Sequence, residues 1–149
     1  MNAHTIDLPD AGATARLGAR LAAALAPGRA VTLRGGLGAG KTHLARACIH
    51  ALQRAAGQPP EDVPSPTFTL VQTYAAGDAE IWHMDLYRLS DPSEAWELGL
   101  EDALETAICL IEWPERLGEA IPGAWDVALT PAGEGRVATL TGWDGRAAA

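Results

Sequence analysis

The fold class this sequence predicts is α/β: a central, mixed but mostly parallel sheet flanked by helices, with an antiparallel hairpin. Three observations predict it. A short, partly β-branched segment, Ala30–Arg34, runs directly into the octapeptide Gly35-Gly36-Leu37-Gly38-Ala39-Gly40-Lys41-Thr42, and a helical pattern follows at once. Strand, G-x-x-x-x-G-K-[ST] loop and helix in that order are the phosphate-binding P-loop arrangement of nucleoside-triphosphate-binding folds. Ala107–Ile111 is continuously apolar, as suits a central strand covered on both faces, and an acid, Glu112, follows it. Near the end, Asp126–Thr130 and Arg136–Thr141 turn at Gly133–Gly135 and read as the hairpin.

The remaining elements follow from periodicity and punctuation. Leu17, Leu21 and Leu25 recur at every fourth residue, so Thr14–Leu25 is predicted as a helix, stopped by Pro27 and Gly28. Lys41–Ala56 is a second helix, with Leu44, Cys48, Ile49 and Leu52 on its apolar side and Gly57 at its end. Gln58–Pro66 carries four prolines and two acids and reads as loop. Thr67–Tyr74 and Ile81–Leu89 read as strands joined through Gly77-Asp78, the second with two faces, since Trp82, Met84 and Leu86 alternate with His83, Asp85 and Tyr87. Asp91-Pro92-Ser93-Glu94 is a helix start, with an Asp cap, Pro in first position and Glu in third. Gly99 interrupts that helix, and Glu101–Glu105 continues it as a second short piece. The 149 residues are expected to form one domain, frayed after about residue 143.

Composition narrows the function. Eleven Lys and Arg against nineteen Asp and Glu give a net charge of −8, which disfavours unaided gripping of nucleic acid or an anionic membrane. Cys48 and Cys109 form no C-x-x-C, so no disulfide framework or zinc site is expected. Met1–Asp10 lacks the features of a secretory signal, and no apolar run reaches membrane-spanning length, so a cytoplasmic location is expected.

The chemistry is concentrated at the loop. Glycines allow main-chain N–H groups to turn inward around phosphates, and the first turn of the next helix adds unpaired N–H groups and its dipole. ATP with Mg²⁺ is the expected ligand, held by Gly35 through Thr42 and the adjoining His43. Lys41 reaches the β- and γ-phosphates as a point charge, and the Thr42 hydroxyl suits magnesium, a hard cation. Glu112, at the end of an apolar strand, is the expected second magnesium anchor or water-activating group; the alternative is a carboxylate facing solvent at a strand exit. Asp85 either holds a magnesium-bound water, with Arg88 on phosphate or locking Asp85, or forms a surface ion pair with Arg88. His83 has no second ligand at metal spacing and reads as structural. Trp113 either covers the nucleotide or plugs the core, and Ser65-Pro66-Thr67 either senses phosphate or merely stiffens a strand entry.

Taken together, GGLGAGKT, SPTFTLV, HMDLYRL, ELGLED and EWPERL closely resemble the bacterial tRNA threonylcarbamoyladenosine biosynthesis ATPase family, TsaE (also called YjeE), from about Leu17 to Pro122. The resemblance implies a weak ATPase stimulated by two partners, TsaD and TsaB. Together these install threonylcarbamoyladenosine in tRNAs reading ANN codons, so tRNA is met only through the complex. It implies phosphate and magnesium duties for Lys41 and Thr42, and metal or catalytic duties for Asp85 and Glu112. Ser65 and Thr67 match the family's mobile threonine segment, and Trp113 its functional tryptophan. Gly36 stands where the family commonly has an acidic or amide residue, which is expected to alter loop stiffness more than activity. A small-molecule or nucleoside kinase is the rival enzyme reading, and ATP as assembly glue the non-enzymatic one. A GTP switch is disfavoured because N-K-x-D needs an asparagine and Asn2 is the only one.

Overall fold

The computed structural model describes residues 3–143. One sheet of seven strands organises them: β1 (Ala3–Leu8), β2 (Ala30–Arg34), β3 (Val71–Ala76), β4 (Ala79–Asp85), β5 (Ile108–Glu112), β6 (Trp125–Ala132) and β7 (Gly135–Thr141). Their spatial order is β1-β7-β6-β2-β5-β4-β3. The four middle strands are parallel, β2 lying between β5 and β6 and β4 on the far side of β5. Antiparallel partners close both edges: β3 on β4, and β7 then β1 on β6. The predicted mixed, mostly parallel sheet with an antiparallel hairpin is the observed one.

Helices α1 (Ala11–Ala24) and α2 (Lys41–Ala55) pack on one face, and α3 (Ser93–Glu97) and α4 (Leu100–Thr106) on the other. The faces separate by alternation along β5, where Ile108 and Leu110 join Leu17, Leu21, Leu44 and Ile49, while Cys109 and Ile111 join Ala95, Leu100 and Leu117. A strand apolar on both faces is what a covered parallel sheet requires. α1 begins earlier than predicted because the Asp10 carboxylate accepts from the Ala13 amide at 2.8 Å, a side-chain cap worth about 1 kcal/mol. At the start of α3, Glu94 accepts from the Asp91 amide while Asp91 accepts from the Ser93 amide, the expected reciprocal cap.

Three features depart from the sequence reading. β1 was not anticipated, because only Ile6 and Leu8 are apolar toward the strand's end and the segment is ordered by its register with β7. The predicted strand Thr67–Tyr74 starts only at Val71: Leu70 donates to the Pro66 carbonyl at 2.8 Å and adopts φ 66°, so the chain turns first. The predicted strand Ile81–Leu89 stops at Asp85, whose carboxylate accepts from the Tyr87 amide at 2.9 Å and bends the chain away. The tail expected to fray lies mostly outside the described residues. Among the described residues no helix is long and apolar enough to cross a membrane.

Candidate active site

β2 delivers the chain into the glycine loop and α2 takes it away. Gly35 has φ 148°, and a Cβ there would lie 2.6 Å from the Leu129 carbonyl oxygen, so β6 forbids any side chain. Gly40, at φ 99°, is the N-cap of α2 and has no side-chain cap, which leaves first-turn amides of Lys41, Thr42 and His43 without intrahelical partners. A Cβ on Gly36 would meet nothing within 4 Å, so the larger residue expected at this position in related proteins would be accommodated. Lys41 donates from Nζ to the carbonyls of Gly35 and Gly36 at 2.8 and 2.7 Å. Burial pulls its ammonium below the usual lysine range, and the charges of Glu112, Asp85 and Glu115 oppose that shift.

Parallel pairing of β2 with β5 brings Glu112 to the start of α2. The Thr42 hydroxyl donates to Glu112, 2.9 Å from Oε1 and 3.0 Å from Oε2. His83, fully buried on β4, donates from Nε2 to Glu112 Oε2 at 2.6 Å. Glu112 is itself only 2% exposed, which excludes the reading of a carboxylate facing solvent. Leaving a buried hydrogen-bonding group without its partner costs about 1–3 kcal/mol, more where the group is charged. His83, read from the sequence as structural, is buried as that reading requires, and its ring is joined to the central acid of the site.

Asp85 is the register partner of Glu112 and is also buried. It accepts from the Thr67 hydroxyl at 3.0 Å and from the Tyr87 amide, while Thr67 and Ser65 share a hydrogen bond of 2.7 Å. The turn that replaces the predicted strand start is thus what aims Thr67 at Asp85. Arg88 neither locks Asp85 nor pairs with it; its guanidinium stacks over the exposed Phe68 ring, 4.4 Å from the centroid. Trp113 has φ 59°, a rare conformation for a bulky residue, and its ring lies 4.4 Å from Lys41 Nζ and 4.8 Å from the Tyr87 ring. The half-buried Trp113 ring therefore does both: it packs against the core on the α3–α4 side and walls the lysine.

A cleft of about 270 Å³ joins these groups. Leu37, Gly38, Ala39 and Gly40 form its loop side, with Lys41, Thr42 and His43 at the helix start. Ser65, Thr67 and Asp85 line the opposite wall, and Glu112 and Trp113 the strand-end wall. Gly35 and Gly36 enter through their carbonyls. A larger hollow of about 920 Å³ lies under the loop after Pro114, but its cations are already engaged, Arg34 with Asp126 and Arg29 with the Gly123 carbonyl. The convergent polar groups belong to the smaller cleft. Arg136, from β7, donates to the Gly38 carbonyl at 3.0 Å and packs on Gly40, a contact that no local sequence signal announces.

The donors fit magnesium better than any softer metal, because Thr42, Glu112 and Asp85 offer only oxygen. Among the described residues no cluster of three or more acidic, histidine or cysteine side chains is placed to hold a metal unaided. Magnesium in general keeps several waters and takes substrate phosphate oxygens beside one or two carboxylates. Cys48 and Cys109 lie in the core, where burial pushes both thiols up to about 12, so neither supplies a thiolate at neutral pH.

Sheet order, loop and cleft define an α/β protein of the P-loop class. The family model for threonylcarbamoyl adenosine biosynthesis protein TsaE matches residues 8–137, and the chain belongs to that family. It is 44% identical over 112 residues to the tRNA threonylcarbamoyladenosine biosynthesis protein TsaE of Rickettsia conorii, covering 75% of this chain and 61% of that protein. The Rickettsia bellii protein of the same name is 41% identical over 122 residues, covering 82% and 81%. With Rickettsia felis TsaE the match covers 57% of that protein, so the chain spans about three fifths of some of its relatives. The crystal structure of Bacillus subtilis YdiB superposes with a TM-score of 0.75 at 27% identity, covering 93% of this chain and 84% of that one.

Proposed function

We propose that this chain is a magnesium-dependent ATPase subunit acting with TsaD and TsaB in forming threonylcarbamoyladenosine in tRNAs that read ANN codons. The observation that carries this reading is the contact of Thr42 with Glu112 beside Lys41, at the mouth of a glycine loop and a helix N-terminus. Amides of the loop and of the first turn of α2 bind the phosphates, and Lys41 exchanges its loop carbonyls for the β- and γ-phosphates. Thr42 and Glu112, with Asp85 beside them, would hold magnesium, which would supply neutralisation of phosphate charge. Glu112 orients the attacking water, and Trp113 shields the lysine side of the cleft. The reaction is hydrolysis of ATP to ADP and phosphate. The tRNA threonylcarbamoyladenosine biosynthesis role for which the relatives are named supports the tRNA role. The net charge of −8 supports contact with tRNA only through partner proteins, in the cytoplasm.

The test is ATP turnover with magnesium, alone and with TsaD and TsaB, in the wild type and in Lys41→Ala. Slow turnover that rises with the partners and disappears in Lys41→Ala is expected. Turnover indifferent to both partners would refute the assignment.

A further inference from the structure

His83 is fully buried, and a buried polar ring is costly unless its hydrogen bonds repay it. One ring nitrogen is repaid: Nε2 donates to Glu112 Oε2 at 2.6 Å, the shortest contact the carboxylate makes. The other, Nδ1, has no partner among the described residues. Packing alone would favour an apolar residue here, since Ile81, two residues earlier on the same strand face, is apolar and equally buried. The register places His83 beside Leu110, so the imidazole reaches along β5 to Glu112 rather than across to its own neighbour. With Oε2 engaged by His83, the carboxylate cannot turn freely, and its remaining capacity faces the Thr42 hydroxyl.

We propose that His83 is a positioning residue that locks the Glu112 carboxylate in the orientation needed to hold magnesium beside Thr42. This rests on the reading of Glu112 and Thr42 as the magnesium anchors. Groups that hydrogen-bond a metal-holding carboxylate fix its geometry, and their loss costs about 10–100-fold in metal affinity. His83 touches neither nucleotide nor metal; it acts through Glu112.

The experiment measures ADP binding by calorimetry with magnesium and with EDTA, which separates metal-dependent from metal-independent affinity and needs no turnover. His83→Leu is expected to bind ADP in EDTA as the wild type does, and to lose at least about tenfold of the gain that magnesium brings. His83→Gln, which keeps an N–H near the Nε2 position, restores most of that gain. In a Glu112→Gln background, His83→Leu adds nothing further, because the two act as one unit. An undiminished magnesium gain in His83→Leu overturns the proposal, as do equal losses in His83→Leu and His83→Gln or additive losses with Glu112→Gln. Should His83→Leu fail to fold, His83→Asn, too short to reach Glu112, takes its place against His83→Gln with the same expected contrast. A wild type whose ADP binding ignores magnesium refutes the reading of Thr42 and Glu112 as magnesium anchors, and this inference with it, whereas a wild type that binds no ADP refutes the nucleotide reading itself.

Discussion

Glu112 and Asp85 end neighbouring parallel strands as register partners, yet different parts of the molecule hold them. Glu112 is gripped from the interior: His83 lies in the sheet, Thr42 in the first turn of α2, and both elements belong to the packed centre. Asp85 is held from the periphery, by its own turn at Tyr87 and by Thr67 on a segment whose neighbours Phe68 and Thr69 are exposed. The difference teaches how a small protein can pair a fixed charge with an adjustable one. Loops open at far lower cost than central strands, so the Thr67–Asp85 contact is the easier of the two to exchange. The Glu112 contacts cannot exchange without disturbing the core.

The largest effect expected is from Lys41→Ala. It removes the cation common to both acids and should weaken ATP binding at least about a hundredfold, or about 2.7 kcal/mol, in equilibrium titration. Retained binding would mean that the loop amides dominate and that the comparison between the acids matters little. Next comes Glu112→Gln, which keeps an acceptor for His83 and Thr42. Metal-free nucleotide binding should survive while the gain from magnesium shrinks and single-turnover hydrolysis falls about a hundredfold or more. Asp85→Asn sharpens the contrast: a loss of about tenfold is expected, smaller because its partners lie on the loop side. Equal losses at the two positions would erase the distinction. Phe68→Ala is the smallest. The ring is 82% exposed, so thermal melting should shift by no more than about 0.5 kcal/mol in stability.

The legible parts of the site were those whose information is local. GGLGAGKT states much of its own backbone, because Gly35, Gly38 and Gly40 mark where positive φ is needed and the helix follows immediately. Glu112 was legible as an acid closing an apolar strand, whereas Asp85 was read within a strand running on to Leu89 and ends its strand only in the structure. His83 was read as structural because it has no second ligand at metal spacing; its link to Glu112, 29 residues away, follows no spacing rule. Arg136 reaches Gly38 across 98 residues for the same reason. The turn at Thr67–Leu70 was hidden by strand-forming residues whose propensity lost to the hydrogen bond from Leu70 to Pro66.

By itself, then, the sequence determined the phosphate loop, the apolar central strand, the acidic balance and the residue types available for chemistry. Each of these depends on neighbours a few residues apart. Tertiary structure alone decided that Thr42, Glu112 and His83 meet, that Asp85 takes Thr67 rather than Arg88, and that β1 forms. The reason is register: pairing between strands distant in sequence sets which side chains converge, and only the assembled sheet holds that register.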